Sequence, residues 1–235
     1  MNIKGKKIII FGGTSGIGKA VCNMLLKKEA SKIYSISRNP KKFRTVNKNI
    51  ELVELDVLDE SALIKFYKKI GNYDILINSA TGGERALGPF LTMDLNGYRN
   101  SFKKLWGYTN TVRYGLKKMS KNGTIVLVSG SPARKSKPGQ IALSSVGGAV
   151  EAFSRGLAEE IKPIRINVVS PGIIDTPMSP LKGTERKKFY KDATKDNLIP
   201  RAGTAEEVAS GIIFAIENEF ITATTIDVDG GWISS

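Results

Sequence analysis

The residues best placed to do chemistry are three glycines in the run Phe11-Gly12-Gly13-Thr14-Ser15-Gly16-Ile17-Gly18: Gly12, Gly16 and Gly18. A β-type run at 6–10 precedes them, and a helix-like run from Ile17 to about Lys28 follows. A strand-to-helix turn without side chains lets backbone approach a pyrophosphate, and N–H groups at the helix start face its charge. Glycines also mark ordinary tight turns, so the flanking strand and helix are what favour a phosphate cradle. Proton chemistry is constrained as firmly. The chain has no histidine, which removes Ser-His-Asp triads, Cys-His pairs and His-ligated zinc. Its single cysteine, Cys22, excludes an internal disulfide and falls inside the first helix as a small core residue. Protons must move through Tyr, Lys, Asp, Glu, Ser or water. Tyr114 and Lys118 are the only Tyr-x-x-x-Lys pair, and their place late on a long helix suits a surface pair.

The elements that must hold these groups alternate. Further strands read at 31–37, 50–55, 74–78, 123–129, 165–169 and 225–228. Helices read from Asp59 to Ile70, from about Asn96 to Met119 and from about Gln140 to Ile161. A last helix opens at the capping box Thr204-Ala205-Glu206-Glu207. The run 74–78 is almost wholly apolar, as a parallel strand covered on both faces should be. The pattern predicts one α/β domain over 1–235, a doubly wound parallel sheet of about seven strands with helices on both faces. Three loops stand out: a Gly-rich stretch at 80–89, a basic one at 131–138, and a charged, loop-like stretch at 176–200. The last has six lysines and arginines between Lys182 and Lys195 and reads as a lid-like insertion near 176–203.

At 235 residues, 41% hydrophobic and 25% charged, the chain has ordinary globular composition and can bury a core without staples. Its net charge of +14 comes from 36 basic and 22 acidic residues. These lysines are scattered as solvated helix faces, with no basic tail or aromatic-interleaved stripe, which argues against nucleic acid. No apolar run reaches membrane-spanning length, and Met-Asn-Ile-Lys-Gly runs straight into a strand, leaving no room for a signal peptide. The expectation is a cytoplasmic protein without a membrane partner.

With these residues in view, the sequence resembles the short-chain dehydrogenase/reductase family over essentially its full length. Gly12, Gly16 and Gly18 match that family's Gly-x-x-x-Gly-x-Gly, which differs from the spacing of other Rossmann-like proteins. Asp56-Val57 resembles its Asp-(Val/Leu) pair at the adenine ring, and Asn78-Ser79-Ala80-Thr81 its Asn-Asn-Ala-Gly segment with two changes. Asn167 through Ser170-Pro171-Gly172 to Thr176 resembles the stretch beside the nicotinamide, and Asp229-Gly230-Gly231 the C-terminal turn. The resemblance implies a Rossmann-like fold and a nicotinamide cofactor held by Gly12, Thr14, Ser15, Gly16, Ile17, Gly18, Ser37, Arg38, Asp56, Val57, Asn78, Ala80, Pro171, Gly172, Ile174 and Thr176. An acidic residue at the end of the second strand would hold the ribose hydroxyls of NAD, whereas a basic one accommodates the phosphate of NADP. Ser37-Arg38 stands there, and a guanidinium pairs bidentately with phosphate and stacks on adenine. The expectation is NADP(H).

The resemblance also implies carbonyl reduction using Ser, Tyr, Lys and Asn, and here the chain departs from it. Gly130 takes the serine position, Leu143 the tyrosine, Gly147 the lysine, and Lys104 the asparagine. Two readings follow. In one, the protein is an oxidoreductase with relocated chemistry: Lys104 extends its ammonium into the vacated pocket, and Ser129 or Ser131 lends a hydroxyl to the carbonyl. In the other, it binds NADP(H) without turnover, as a sensor or partner subunit. A third and weaker reading, a nucleic-acid-binding protein, rests on net charge. The basic residues Arg134-Lys135-Ser136-Lys137 and the lysine-rich lid suggest an anionic small-molecule substrate. By resemblance, the helices at 96–119 and 140–161 pair subunits into a homodimer or homotetramer.

Overall fold

The computed structural model describes residues 1–43, 47–81 and 84–235, so Gly82 and Gly83 of the expected Gly-rich loop lie outside the described residues. In chain order the first half holds β1 (Lys7–Phe11), α1 (Gly16–Lys27), β2 (Lys32–Ser37), β3 (Ile50–Glu54), α2 (Glu60–Ile70), β4 (Tyr73–Asn78), α3 (Leu95–Ser101) and α4 (Lys103–Gly115). The second half holds β5 (Met119–Val128), α5 (Ile141–Ile161), β6 (Arg165–Pro171), β7 (Ile174–Asp175), α6 (Gly183–Thr194), β8 (Gly203–Thr204), α7 (Ala205–Glu217) and β9 (Thr225–Val228). Seven strands make one sheet in the order β3-β2-β1-β4-β5-β6-β9, every neighbouring pair parallel. This is the single-domain, Rossmann-like doubly wound fold that the alternation predicted.

Strand periodicity explains why the central strands are apolar throughout. Ile8 and Ile10 of β1, with Ile75 and Ile77 of β4, enter one core against Val21 and Leu25 of α1 and Ile212 of α7. Ile9 and Phe11 of β1, with Leu76 of β4, enter the other against Phe66 of α2, Val112 of α4 and Val150 of α5. Alternate side chains therefore feed opposite helical layers, and neither face of β1 or β4 is left to water. Chain order reverses between β1 and β4, which leaves a crevice beyond their carboxyl ends, where open α/β sheets bind ligands.

Two elements differ from the sequence expectation. The helix expected over 96–119 breaks at Phe102 and ends at Gly115. Ser101 sits at the break; its hydroxyl donates to Gly97 O at 2.9 Å and accepts from Ala86 N at 3.1 Å. Such a back-bond competes with the helical ladder and bends it. The stretch expected to be loop-like over 176–200 contains the three-turn helix α6. Lysine, arginine and glutamate are good helix formers, and Tyr190 and Thr194, one turn apart, give α6 a buried face. The Thr204 capping box forms as read: Glu207 N donates to Thr204 Oγ1 at 3.1 Å, and Thr204 N to Glu207 Oε2 at 2.8 Å.

Candidate nucleotide cleft and active site

The glycine turn is shaped by what presses on it. A Cβ on Gly18 would sit 2.2 Å from Gly12 O, and one on Gly12, where φ is +80°, would sit 2.7 Å from Ala80 N. The turn thus packs against its own helix and against the β4 exit, and neither position tolerates a side chain. Gly12 N and Gly13 N are spent on Ile36 O, at 2.8 and 3.2 Å. The first-turn N–H groups of α1 have no intrahelical acceptor. Ser15 puts no side-chain cap over them, and no acidic residue occupies that turn. Such uncapped N–H groups at a helix N-terminus are suited to an anion.

A cleft of about 430 Å³ opens over this turn. Gly12, Thr14, Ser15, Gly16, Ile17 and Gly18 line it, with Ser37 and Arg38 after β2, Asp56 and Val57 after β3, Ala80 after β4, and Thr176. Thr14 Oγ1 donates to Ser37 Oγ at 2.9 Å, leaving the Ser37 hydroxyl proton for another acceptor. Arg38 is exposed and, among the described residues, has no hydrogen-bond or ion-pair partner. Asp56 Oδ1 accepts from Leu58 N at 2.9 Å, which holds the carboxylate at the rim. Val57 backs onto α4 so closely that a Cβ on Gly107 would meet it at 2.5 Å, which explains that glycine.

Four residues expected at the cofactor stand off the cleft. Asn78 is wholly buried; it donates to Thr111 Oγ1 at 2.7 Å, tying β4 to α4. Pro171 ends β6, while Gly172 lies against the C-terminal turn, where a Cβ would meet Asp229 O at 2.7 Å. Ile174 belongs to β7, and its side chain presses on Gly203. Conversely, Ser79, Thr81, Pro177 and Met178 line the cleft without having been expected. Proximity to a strand's carboxyl end was the available signal for the first two.

The positions at which the resemblance places catalytic residues have distinct surroundings. Lys104 Nζ donates to Ser129 O at 3.1 Å and lies 5.6 Å from the Tyr108 ring centroid. Its ammonium is therefore anchored one residue from Gly130. Burial, and secondarily the charge of Arg85, lower its pKa from the usual lysine value to about 8. Ser129 commits its hydroxyl elsewhere, donating to the buried Glu151 at 3.2 Å. Ser131 is 1% exposed and its hydroxyl is enclosed without a hydrogen-bond partner. The Ser129 hydroxyl is thus committed, whereas that of Ser131 is uncommitted but enclosed. Gly130 has room: an added Cβ finds nothing closer than Pro132 Cδ at 3.6 Å. Gly147 has none, since a Cβ would meet Ala133 Cβ at 2.9 Å.

The basic loop is also committed. Arg134 pairs with Asp227 and lies 3.7 Å from Glu151, Lys135 bonds to the Ser235 carbonyl, and Lys137 sits 4.4 Å from the Trp232 ring centroid. Trp232 Nε1 returns a hydrogen bond to Lys135 O at 2.8 Å. The charges that suggested an anionic substrate here instead fasten the C-terminal segment. Tyr114 bonds to Glu60 at the surface, as its helix position implied.

A family model described as enoyl-(acyl carrier protein) reductase matches residues 12–233. Carbonyl reductase family member 4 of Xenopus laevis is 32% identical over 96% of this chain and 97% of its own. The chain belongs to the short-chain dehydrogenase/reductase family. A 3-oxoacyl-[acyl-carrier-protein] reductase of Rattus norvegicus is 31% identical, over 96% of this chain and 97% of that one. Among solved structures, a small-chain dehydrogenase in complex with NADPH superposes with a TM-score of 0.81 and 27% identity, covering 96% of this chain and 98% of that one. ElxO with NADP bound superposes with a TM-score of 0.84 and 29% identity, covering 98% of this chain and all of the other. This short-chain dehydrogenase/reductase carries its glycine turn at the first β–α junction, between β1 and α1. Among the described residues, no helix is long and apolar enough to cross a membrane.

Proposed function

We propose that this chain is an NADP(H)-dependent oxidoreductase with an atypical active site, moving hydride between the nicotinamide and a small carbonyl or hydroxyl substrate. The free Arg38 guanidinium at the cleft wall, with no carboxylate at that strand end, supports NADP(H) over NAD(H). The glycine turn and first turn of α1 would hold the pyrophosphate, Asp56 and Val57 the adenine edge, and Thr176 the nicotinamide side. The single observation carrying the chemical proposal is the Lys104 ammonium, held at Ser129 O beside the serine position now occupied by Gly130. An ammonium with a pKa of about 8 is protonated at neutral pH. It can donate to an alkoxide as hydride arrives, or stabilise that oxygen's charge. With the basic loop committed to the C-terminal segment, Lys104 and its neighbour Arg85 are what support an anionic substrate. Trp106 on α4 and Ile141 on α5, 62% and 38% exposed, support pairing of these helices in a homodimer or homotetramer.

Binding of NADPH and NADH to the purified protein tests the cofactor reading. NADPH should bind more tightly; equal affinities would remove Arg38 from the argument. A second reading, binding without turnover, is favoured by the contact of Ala133 on Gly147 and by the Ser129–Glu151 bond. Failure to oxidise bound NADPH against a broad panel of aldehydes, ketones and 3-oxoacyl thioesters would select it.

A further inference from the structure

One arginine outside the expected site organises the segment that covers the cleft. Thr176, Pro177 and Met178 line the nucleotide cleft, and a Cβ on Gly16 would touch Thr176 Cβ at 3.4 Å. This strap has little order of its own. Ser179 N donates to Thr176 O at 3.2 Å, and the β7–β8 ladder spans two residue pairs. Arg85 Nη1 adds one bond, to Met178 Sδ at 2.7 Å, and Arg186, in the first turn of α6, supplies most of the rest. Its Nε donates to Asp175 Oδ1 at 2.9 Å, and its Nη2 reaches the same oxygen. Nη1 donates to Ser179 O and to Leu181 O, each at 3.0 Å, and Nη2 to Thr176 O at 2.7 Å. All five N–H donors of the guanidinium are thereby spent on one short stretch of chain. One turn further along α6, Tyr190 lies 5.4 Å from the guanidinium, ring centroid to carbon, and its hydroxyl donates to Ile174 O at 3.4 Å.

We infer that Arg186 is a positioning residue for the cofactor site, holding the strap 175–181 over the nucleotide cleft before any nucleotide arrives. The inference rests on the nucleotide reading of that cleft. A strap that is already ordered costs the ligand no ordering entropy, whereas a loose one reduces apparent affinity by the fraction of time it is out of place. Only a planar fork can reach Asp175, Thr176, Ser179 and Leu181 together; a lysine's single ammonium cannot.

The test uses the full chain as Arg186→Lys, Arg186→Ala and Asp175→Asn. Hydrogen exchange over 175–181 without nucleotide is read beside the NADPH dissociation constant, measured by nicotinamide fluorescence. If the strap stays in place one tenth of the time, the apparent Kd rises about tenfold. Arg186→Lys should lie between the parent and Arg186→Ala, and saturating NADPH should restore protection. Thermal stability should move far less than affinity, because the strap is surface chain. Asp175→Asn, which leaves α6 intact, keeps the test open if the arginine variants fold poorly. Faster exchange in the strap with unchanged NADPH affinity overturns the inference alone. No NADPH binding by the parent protein overturns the cofactor reading, and this inference with it.

Discussion

The two ends of the cleft have been treated differently by the sequence. At the nucleotide end, every feature needed to hold an anion is in place and fixed by packing: Gly12 against Ala80, Gly18 against Gly12, and Thr14 bonded to Ser37. At the proposed chemical end, around Gly130, Gly147 and Lys104, the packing is uneven: open at Gly130 and tight elsewhere. Ala133 occupies the space beside Gly147, Glu151 takes the Ser129 hydroxyl, and Lys104 takes the Ser129 carbonyl. If the proposed function holds, cofactor binding and cofactor use can be perturbed separately, because Arg38 follows β2 whereas Lys104 lies on α4.

The contrast can be broken first at Lys104. If it supplies the proton, Lys104→Ala should lower the rate of carbonyl reduction by about 100-fold, the usual scale for a general acid, while NADPH affinity holds. An unchanged rate would leave the chemical end without a proton donor. The pH dependence has a definite sign. Reduction needs the ammonium, so its rate should fall as pH rises through about 8, and alcohol oxidation should gain over the same interval. Stability follows the same shift. A lysine pKa lowered on folding means that the unfolded chain binds more protons between pH 8 and the free value of 10.5. Stability should rise over that range, and Lys104→Met should help most at neutral pH. Thermal melts at pH 7 and pH 10 would show it.

At the nucleotide end, Arg38→Asp replaces a phosphate partner with a like charge. The NADPH-over-NADH preference should shift by about 100-fold, roughly the loss of a charge-assisted bidentate contact. A preference that survives would move the 2′-phosphate elsewhere. The smallest effects sharpen the contrast within the chemical end. Gly147→Ala should cost about 1–3 kcal/mol in denaturant melts, the usual scale of overpacking against a neighbour that must move. Gly130→Ser should stay within about 0.5 kcal/mol, since its surroundings are open. Equal costs would mean that the two vacancies are not physically different.

The fold was legible because apolar strands and Gly-punctuated turns carry a period that packing then enforces. β9 falls where it was read, and most other boundaries shift by a residue or so. The bend at Phe102 was not legible, because a helix-compatible sequence hides one serine's choice to bond backward to Gly97. Helix α6 was missed for the opposite reason: dense charge reads as loop until Arg186, Tyr190 and Thr194 are seen to share a face. In the site, the glycine turn announces itself through residues that have no alternative use. The bond of Asn78 to Thr111 was not legible, because a buried amide and an exposed one look alike in sequence. The bond of Ser129 to Glu151 was hidden too, since Glu151 lies nearly three turns into a helix that reads as amphipathic.

The touch of Ala133 on Gly147 also constrains the order in which this pocket could be rebuilt. A side chain introduced at 147 meets a wall, whereas a serine at 130 meets none of that kind. The short helical turn carrying Ala133 must retreat first. Arg134, the next residue, is pinned to Asp227 and Glu151, so retreat there loosens the C-terminal strand as well. Changes at 147 and around Ala133 are therefore dependent moves, and a library that varies these positions one at a time will not sample them together.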